Sequence, residues 1–208
     1  SAIGATVLLL LGQVVIANGD LWVVAALIPA DAGSYAAVAL VGRLVFIAGW
    51  SIVTVVFPSL VSGSAKASGT LLVKAVGAAA AVGAALTLGA FVAGDTLIVA
   101  MVGDDYASAG RLLGPYALAT TLFVVANLLA VAGLADGRRL LPGMLAAGSI
   151  VQTVLLVLVS SRGVTWVVYW QLCVMAILGT SLALTTVARY RRRTFRSAPN
   201  PVPDRSTP

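Results

Sequence analysis

The chain has 208 residues, of which 60% are hydrophobic and 10% charged, with a mean hydropathy of +1.05 and a formal net charge of +6. A soluble domain carries roughly 25% charged residues because its surface must face water, so no soluble domain can be cut from this sequence. Glutamate and histidine are both absent and the acidic residues are seven aspartates, which leaves no general-base histidine, metal cluster or paired-carboxylate site of Asp/Glu type.

Length and apolarity divide the chain into membrane-spanning helices, since about 20 apolar residues are needed to cross the hydrocarbon layer. Six segments qualify, at roughly 3–29, 35–61, 70–94, 107–134, 140–160 and 164–188. Long runs of Ala, Val, Leu and Gly without strict alternation fit helices rather than barrel strands. The chain begins at Ser1 with no Met, no charged n-region and no cleavable-signal pattern, as a piece whose N-terminal part has been cut away does.

The first span contains Gln13, Asn18 and Asp20 and is expected to end at Pro29. A short turn, Ala30 to Gly33, leads into the second span, which holds Arg43 and is expected to bend at Pro58. Asp20 and Arg43 lie at similar distances from the turn, near mid-membrane, where a lone charge costs at least roughly 2.5–3.5 kcal/mol on insertion scales. They are expected to face each other or to face one common polar cavity. Two readings stand side by side: part of a substrate or ion pathway, or a buried ion pair that fixes two helices.

The third span carries small residues four apart, Gly77, Ala81, Ala85, Gly89 and Ala93, a stripe that allows close approach of a neighbouring backbone. Thr96 to Val102 is apolar but too short to cross, and is expected to lie at the interface. The fourth, fifth and sixth spans add Asn127, Gln152 and Gln171, which with Gln13 are possible cavity-lining groups. Interhelical hydrogen bonding is the commoner role of such residues. Trp22, Trp50, Trp166, Tyr169 and Trp170 serve packing or interfacial anchoring. Cys173 is alone, so there is no disulfide or zinc framework.

Residues 1–190 thus form the six-helix bundle. Residues 191–208 are a basic, then Pro-rich tail that is expected to be disordered. Lys66, Lys74, Arg138, Arg139 and the arginines from Arg189 onward fall on one side, against Arg111 and Arg162 on the other. The positive-inside rule makes the first side, and the C-terminus, cytoplasmic. The tail cluster therefore points to a membrane surface and not to nucleic acid. No P-loop is present, so neither a nucleotide nor any other cofactor is expected, and a driving force comes from an ion gradient, the membrane potential or the substrate.

Several stretches carry a resemblance. Asn18-x-Asp20, then Asp31-Ala32-Gly33-Ser34-Tyr35, Arg43 and Phe57-Pro58-Ser59-Leu60 resemble the seventh and eighth helices of polysaccharide-type flippases. These belong to the superfamily that also holds multidrug and toxin extrusion transporters and the peptidoglycan lipid II flippase. Val102-Gly103-Asp104-Asp105-Tyr106 through Ala109 is similar to the family's Gly-x-x-Tyr-x-x-Ala stretch, and Gly133 to Arg139 to its basic inner loop. The likeness runs from about residue 3 to residue 190.

The resemblance implies an all-α membrane protein whose six transmembrane helices form one of two bundles around a central cavity, the first bundle belonging to the missing N-terminal part. It implies flipping of a lipid-linked oligosaccharide or polysaccharide precursor across the plasma (inner) membrane by alternating access, in contact with membrane lipids. Arg43 is the intramembrane candidate for the substrate pyrophosphate, with Asp20 and Asn18 beside it on the pathway. The alternatives are a cation-coupled multidrug or toxin exporter of the same superfamily, and a non-transporting scaffold for envelope biosynthesis.

Overall fold

In a computed structural model, residues 2–62, 65–137 and 139–196 are described. They form six long α-helices: α1 (Ala2–Leu27), α2 (Ala32–Ser62), α3 (Ala65–Val102), α4 (Leu113–Ala135), α5 (Leu140–Val159) and α6 (Val164–Arg196). Each contains a stretch long and apolar enough to cross a membrane. Short 3-10 segments, Pro29–Asp31, Asp104–Leu112 and Ser160–Arg162, connect helices at one end of the bundle, called here the turn end. Gly103 (φ 113°) and Gly163 (φ 96°) make two of these breaks, because residues with a Cβ rarely enter that region.

Helix α4 is the axis. In its most apolar window 72% of residues are buried, against at most 44% in any other helix. Helices α2 and α3 cover one side of it, and α5 and α6 the other, while α1 leans on α5. Outward faces remain apolar: Val92 is 87% exposed, Val55 76% and Ile177 69%. In water such patches would drive aggregation, whereas a hydrocarbon solvent accepts them.

Close packing rests on particular glycines. A Cβ at Gly42 of α2 would fall within the Tyr116 ring of α4, and one at Gly83 of α3 would strike Thr121. The small-residue stripe is corrected here. Gly77 and Gly89 meet nothing within 4 Å of a built Cβ, and Ala81 and Ala85 are exposed. The packed face is a second four-spaced set, Ala75, Ala79, Gly83 and Thr87. It is offset by two positions, roughly half a turn at 3.6 residues per turn. Gly83→Ala is accordingly expected to lower the unfolding free energy by about 1–3 kcal/mol through overpacking. Gly77→Ala is expected to leave it unchanged or slightly raised, both measured by denaturant titration in mixed micelles.

The stretch after the third predicted span also differs from expectation. Thr96 to Val102 continues α3 beyond a kink at Ala93 (φ −125°, ψ 25°), and Ile98 is fully buried. The kink brings Gly94 and Asp95 against Gly110 of the 3-10 segment, so closely that a Cβ on either glycine would overlap the other strand of chain. That segment takes up the first residues of the fourth predicted span. Pro29 opens the turn after α1 as expected, and Pro58 lies inside α2, which runs on to Ser62. Helix α6 extends to Arg196, so residues 191–196 are helical and not part of a disordered tail. Arg138 and residues 197–208 lie outside the described residues.

Candidate functional site

The α1–α2 hairpin is joined tightly at its turn and then divides. Helix α1 passes to α5, where Gly12 lies against Leu145 and Ala146. Helix α2 passes to α4, where Phe46 stacks on Phe123 with centroids 5.6 Å apart. The gap between them holds a cavity of about 240 Å³, lined by Asn18 of α1, Arg43 and Ile47 of α2, Tyr116, Thr120 and Phe123 of α4, and Gln171 and Met175 of α6, with further apolar groups. It sits where two apolar clusters meet, one around Tyr35 and Val168 and the other around Leu128 and Leu145.

Arg43 is half-buried at the cavity wall. Its Nη2 donates to Asn18 Oδ1 at 2.7 Å and to the Ala17 carbonyl at 3.5 Å. Asn18 is held in turn by its Nδ2 donating to the Val14 carbonyl at 2.9 Å. Both acceptors of Arg43 are neutral, so among the described residues its charge has no carboxylate partner.

Asp20 belongs to a different set. It is fully buried and accepts from the Tyr35 hydroxyl at 2.7 Å and from the Leu21 backbone N–H at 2.9 Å. The same hydroxyl lies 3.2 Å from Gln171 Oε1. Tyr116 meets Tyr35 edge-on, with centroids 6.0 Å apart and planes at 80°, and interacts with the Asp20 carboxyl as well. A hydroxyl carries one proton. Tyr35 therefore serves both neighbours only if Asp20 is protonated and donates to it, or if Gln171 presents its amide nitrogen.

The direct Asp20–Arg43 pair expected as one alternative is thus not formed. Arg43 faces the cavity, and Asp20 lies behind its wall, two hydrogen bonds from the lining residue Gln171 by way of Tyr35. Of the four possible cavity-lining amides, Gln171 alone lines it. Gln13, Asn127 and Gln152 are taken up between helices. Gln13 Nε2 donates to Asn127 Oδ1, and Gln152 Nε2 to the Ile16 carbonyl at 3.4 Å. Asn127 Nδ2 and Gln152 Oε1 have no partner. Gln13→Leu is expected to cost about 1–3 kcal/mol, because it leaves the whole Asn127 amide unpaired in a buried position. The double change Gln13→Leu with Asn127→Leu is expected to recover most of that loss, again by micellar denaturation.

Tyr35, Tyr116 and Phe46 were not singled out from sequence. A signal existed for Tyr35: a phenol in an apolar helix needs a hydrogen-bond partner, and Asp20 lies on the facing helix of the same hairpin. Chemically, the site offers one guanidinium, hydroxyls and an amide on aromatic and aliphatic walls. Such a surface suits an anionic group attached to an apolar body. Compared with protein-family models, curated proteins and solved structures, the chain matches none.

Proposed function

We propose that this chain is one six-helix half of a flippase that carries a lipid-linked oligosaccharide across the plasma membrane by alternating access, with Arg43 receiving the pyrophosphate. The observation that carries this reading is a guanidinium on a cavity wall with no counter-charge among the described residues. Arg43 lies about 16 Å along α2 from Ala32 at 1.5 Å per residue, close to the middle of a hydrocarbon layer about 30 Å thick. A charge kept there at a cost of at least about 2.5–3.5 kcal/mol supports a pathway role, because among the described residues it has no carboxylate that would make it a packing device. A phosphate oxygen supplies that partner, and a guanidinium fork matches phosphate geometry. By the positive-inside rule, Lys66, Lys74 and Arg139, with the arginines that end α6, support a cytoplasmic position for the end opposite the turns.

The test is binding by the chain in lipid nanodiscs. A prenyl pyrophosphate is expected to bind at least about tenfold more tightly than the matching prenol, the difference of one good charged hydrogen bond. Equal affinity for the two contradicts the proposal. A cation-coupled exporter is the second reading, favoured by the Asp20 carboxyl, a group able to take up and release a proton close behind the cavity wall. Arg43 weighs against it for cationic drugs, which the unneutralised guanidinium repels.

A further inference from the structure

We infer that the Asn18–Arg43 hydrogen bond is a latch between α1 and α2 that a phosphate-bearing ligand opens by taking the guanidinium for itself. The inference rests on the anion-binding reading of the cavity. Among the described residues two bonds between side chains cross the hairpin, Tyr35 to Asp20 at 2.7 Å and Arg43 to Asn18 at 2.7 Å, the latter accompanied by the longer Arg43 contact to the Ala17 carbonyl at 3.5 Å. The first is buried behind the cavity wall, near the turn. The second stands in the cavity itself, where both of its side chains form part of the lining. Beyond it the helices diverge, α1 onto α5 and α2 onto α4.

The latch is weak by chemistry. Asn18 offers a neutral amide oxygen to a full cation, whereas a phosphate offers several anionic oxygens and accepts the fork in two bonds. The guanidinium is only half-buried, so it can turn toward the ligand without first breaking a packed core. When it does, Asn18 loses its donor and the hairpin loses its tie at the level of the cavity. Ligand binding and separation of α1 from α2 are then one equilibrium, because a ligand shifts conformations by its differential contacts with them. Asn18 is a positioning residue in this scheme: it holds Arg43 across the cavity when the cavity is empty.

The role makes affinity respond oppositely to two changes at one position. Asn18→Ala removes the competing acceptor and is expected to tighten prenyl pyrophosphate binding several-fold. Asn18→Asp supplies an ionic competitor and is expected to weaken it tenfold or more. A residue that merely supports the fold, or that contacts the ligand directly, weakens binding when cut to alanine. Spin labels at Leu11 and Val55, both exposed, report the α1–α2 separation in a Cys173→Ser chain. Prenyl pyrophosphate is expected to lengthen this distance, and ligand-free Asn18→Ala to show the same long distance already. Prenol is expected to leave it unchanged. Inorganic pyrophosphate that lengthens it equally supports the latch and removes the prenyl chain from its action. If the intact chain shows no preference for prenyl pyrophosphate over prenol, the functional reading fails and the latch with it. If the preference is present but Asn18→Ala weakens binding, or the distance is the same with and without ligand, the latch alone is overturned.

Discussion

Arg43→Gln is expected to lower affinity for a prenyl pyrophosphate by about 10- to 100-fold while leaving the bundle as stable as before or more so. The two effects have opposite signs for one reason. A hydrogen bond to a charged group is worth about 1.5–3 kcal/mol, and at about 1.4 kcal/mol per factor of ten its loss gives that range. If α2 spans a membrane, the same charge costs at least about 2.5–3.5 kcal/mol to hold there, and glutamine removes it. Only the bonds to Asn18 and the Ala17 carbonyl are lost from the fold. Arg43→Lys is expected to recover part of the affinity, because a point charge lacks the planar fork. Binding isotherms and micellar unfolding on the same three proteins check the claim. A loss of stability parallel to the loss of binding would return Arg43 to a packing role.

Exchanging the charges of Asp20 and Arg43 is expected to fail as a rescue. Asp20→Arg places a guanidinium in a fully buried site, against hydroxyls that serve a carboxyl. An uncompensated buried charge costs about 3–5 kcal/mol. Adding Arg43→Asp does not repair this, because position 43 faces Asn18 and the cavity rather than position 20. The milder cycle of Asp20→Asn, Arg43→Gln and the double variant is expected to be additive within about 0.5 kcal/mol, because the two side chains make no bond to each other and have only Tyr116 as a common neighbour. Coupling well above that value in the unfolding free energies would restore the ion pair.

Much of the helical frame was readable in the sequence, because length and apolarity alone decide which segments can cross a bilayer. The ends of α1, α2 and α5 follow from Pro29, the Ser62 region, Arg139 and Ser160. Rotation about the helix axis was not readable in the same way. Helix α3 carries two four-spaced sets of small residues on opposite faces, and only the partner helix decides which one is packed. The kink at Ala93 was hidden for a similar reason. It depends on Gly110 meeting Gly94 and Asp95, a contact between segments that are separate in sequence.

The site was legible in its parts and not in its pairing. Asp20 and Arg43 stand out because charge is rare in an apolar span, and their matching depth suggested contact. Depth fixes a level in the membrane, not a direction. Tyr35 supplies an uncharged donor to Asp20 from the same hairpin, and that leaves the guanidinium to Asn18. The amides divided similarly: Gln171 reaches the cavity, whereas Gln13 and Gln152 turn toward other helices.

The central claim is that Arg43 is a cation without a carboxylate partner at a cavity open to water, in a bundle whose solvent is lipid. Leu44 and Ile47 of α2 flank that cation and are both exposed, but only Ile47 borders the cavity. Spin labels at these two positions in nanodiscs, relaxed by oxygen or by a water-soluble nickel complex, separate lipid from water directly. The account predicts a Leu44 label relaxed by oxygen and shielded from nickel, and an Ile47 label reached by nickel. Nickel access at Leu44, or none at Ile47, would contradict it.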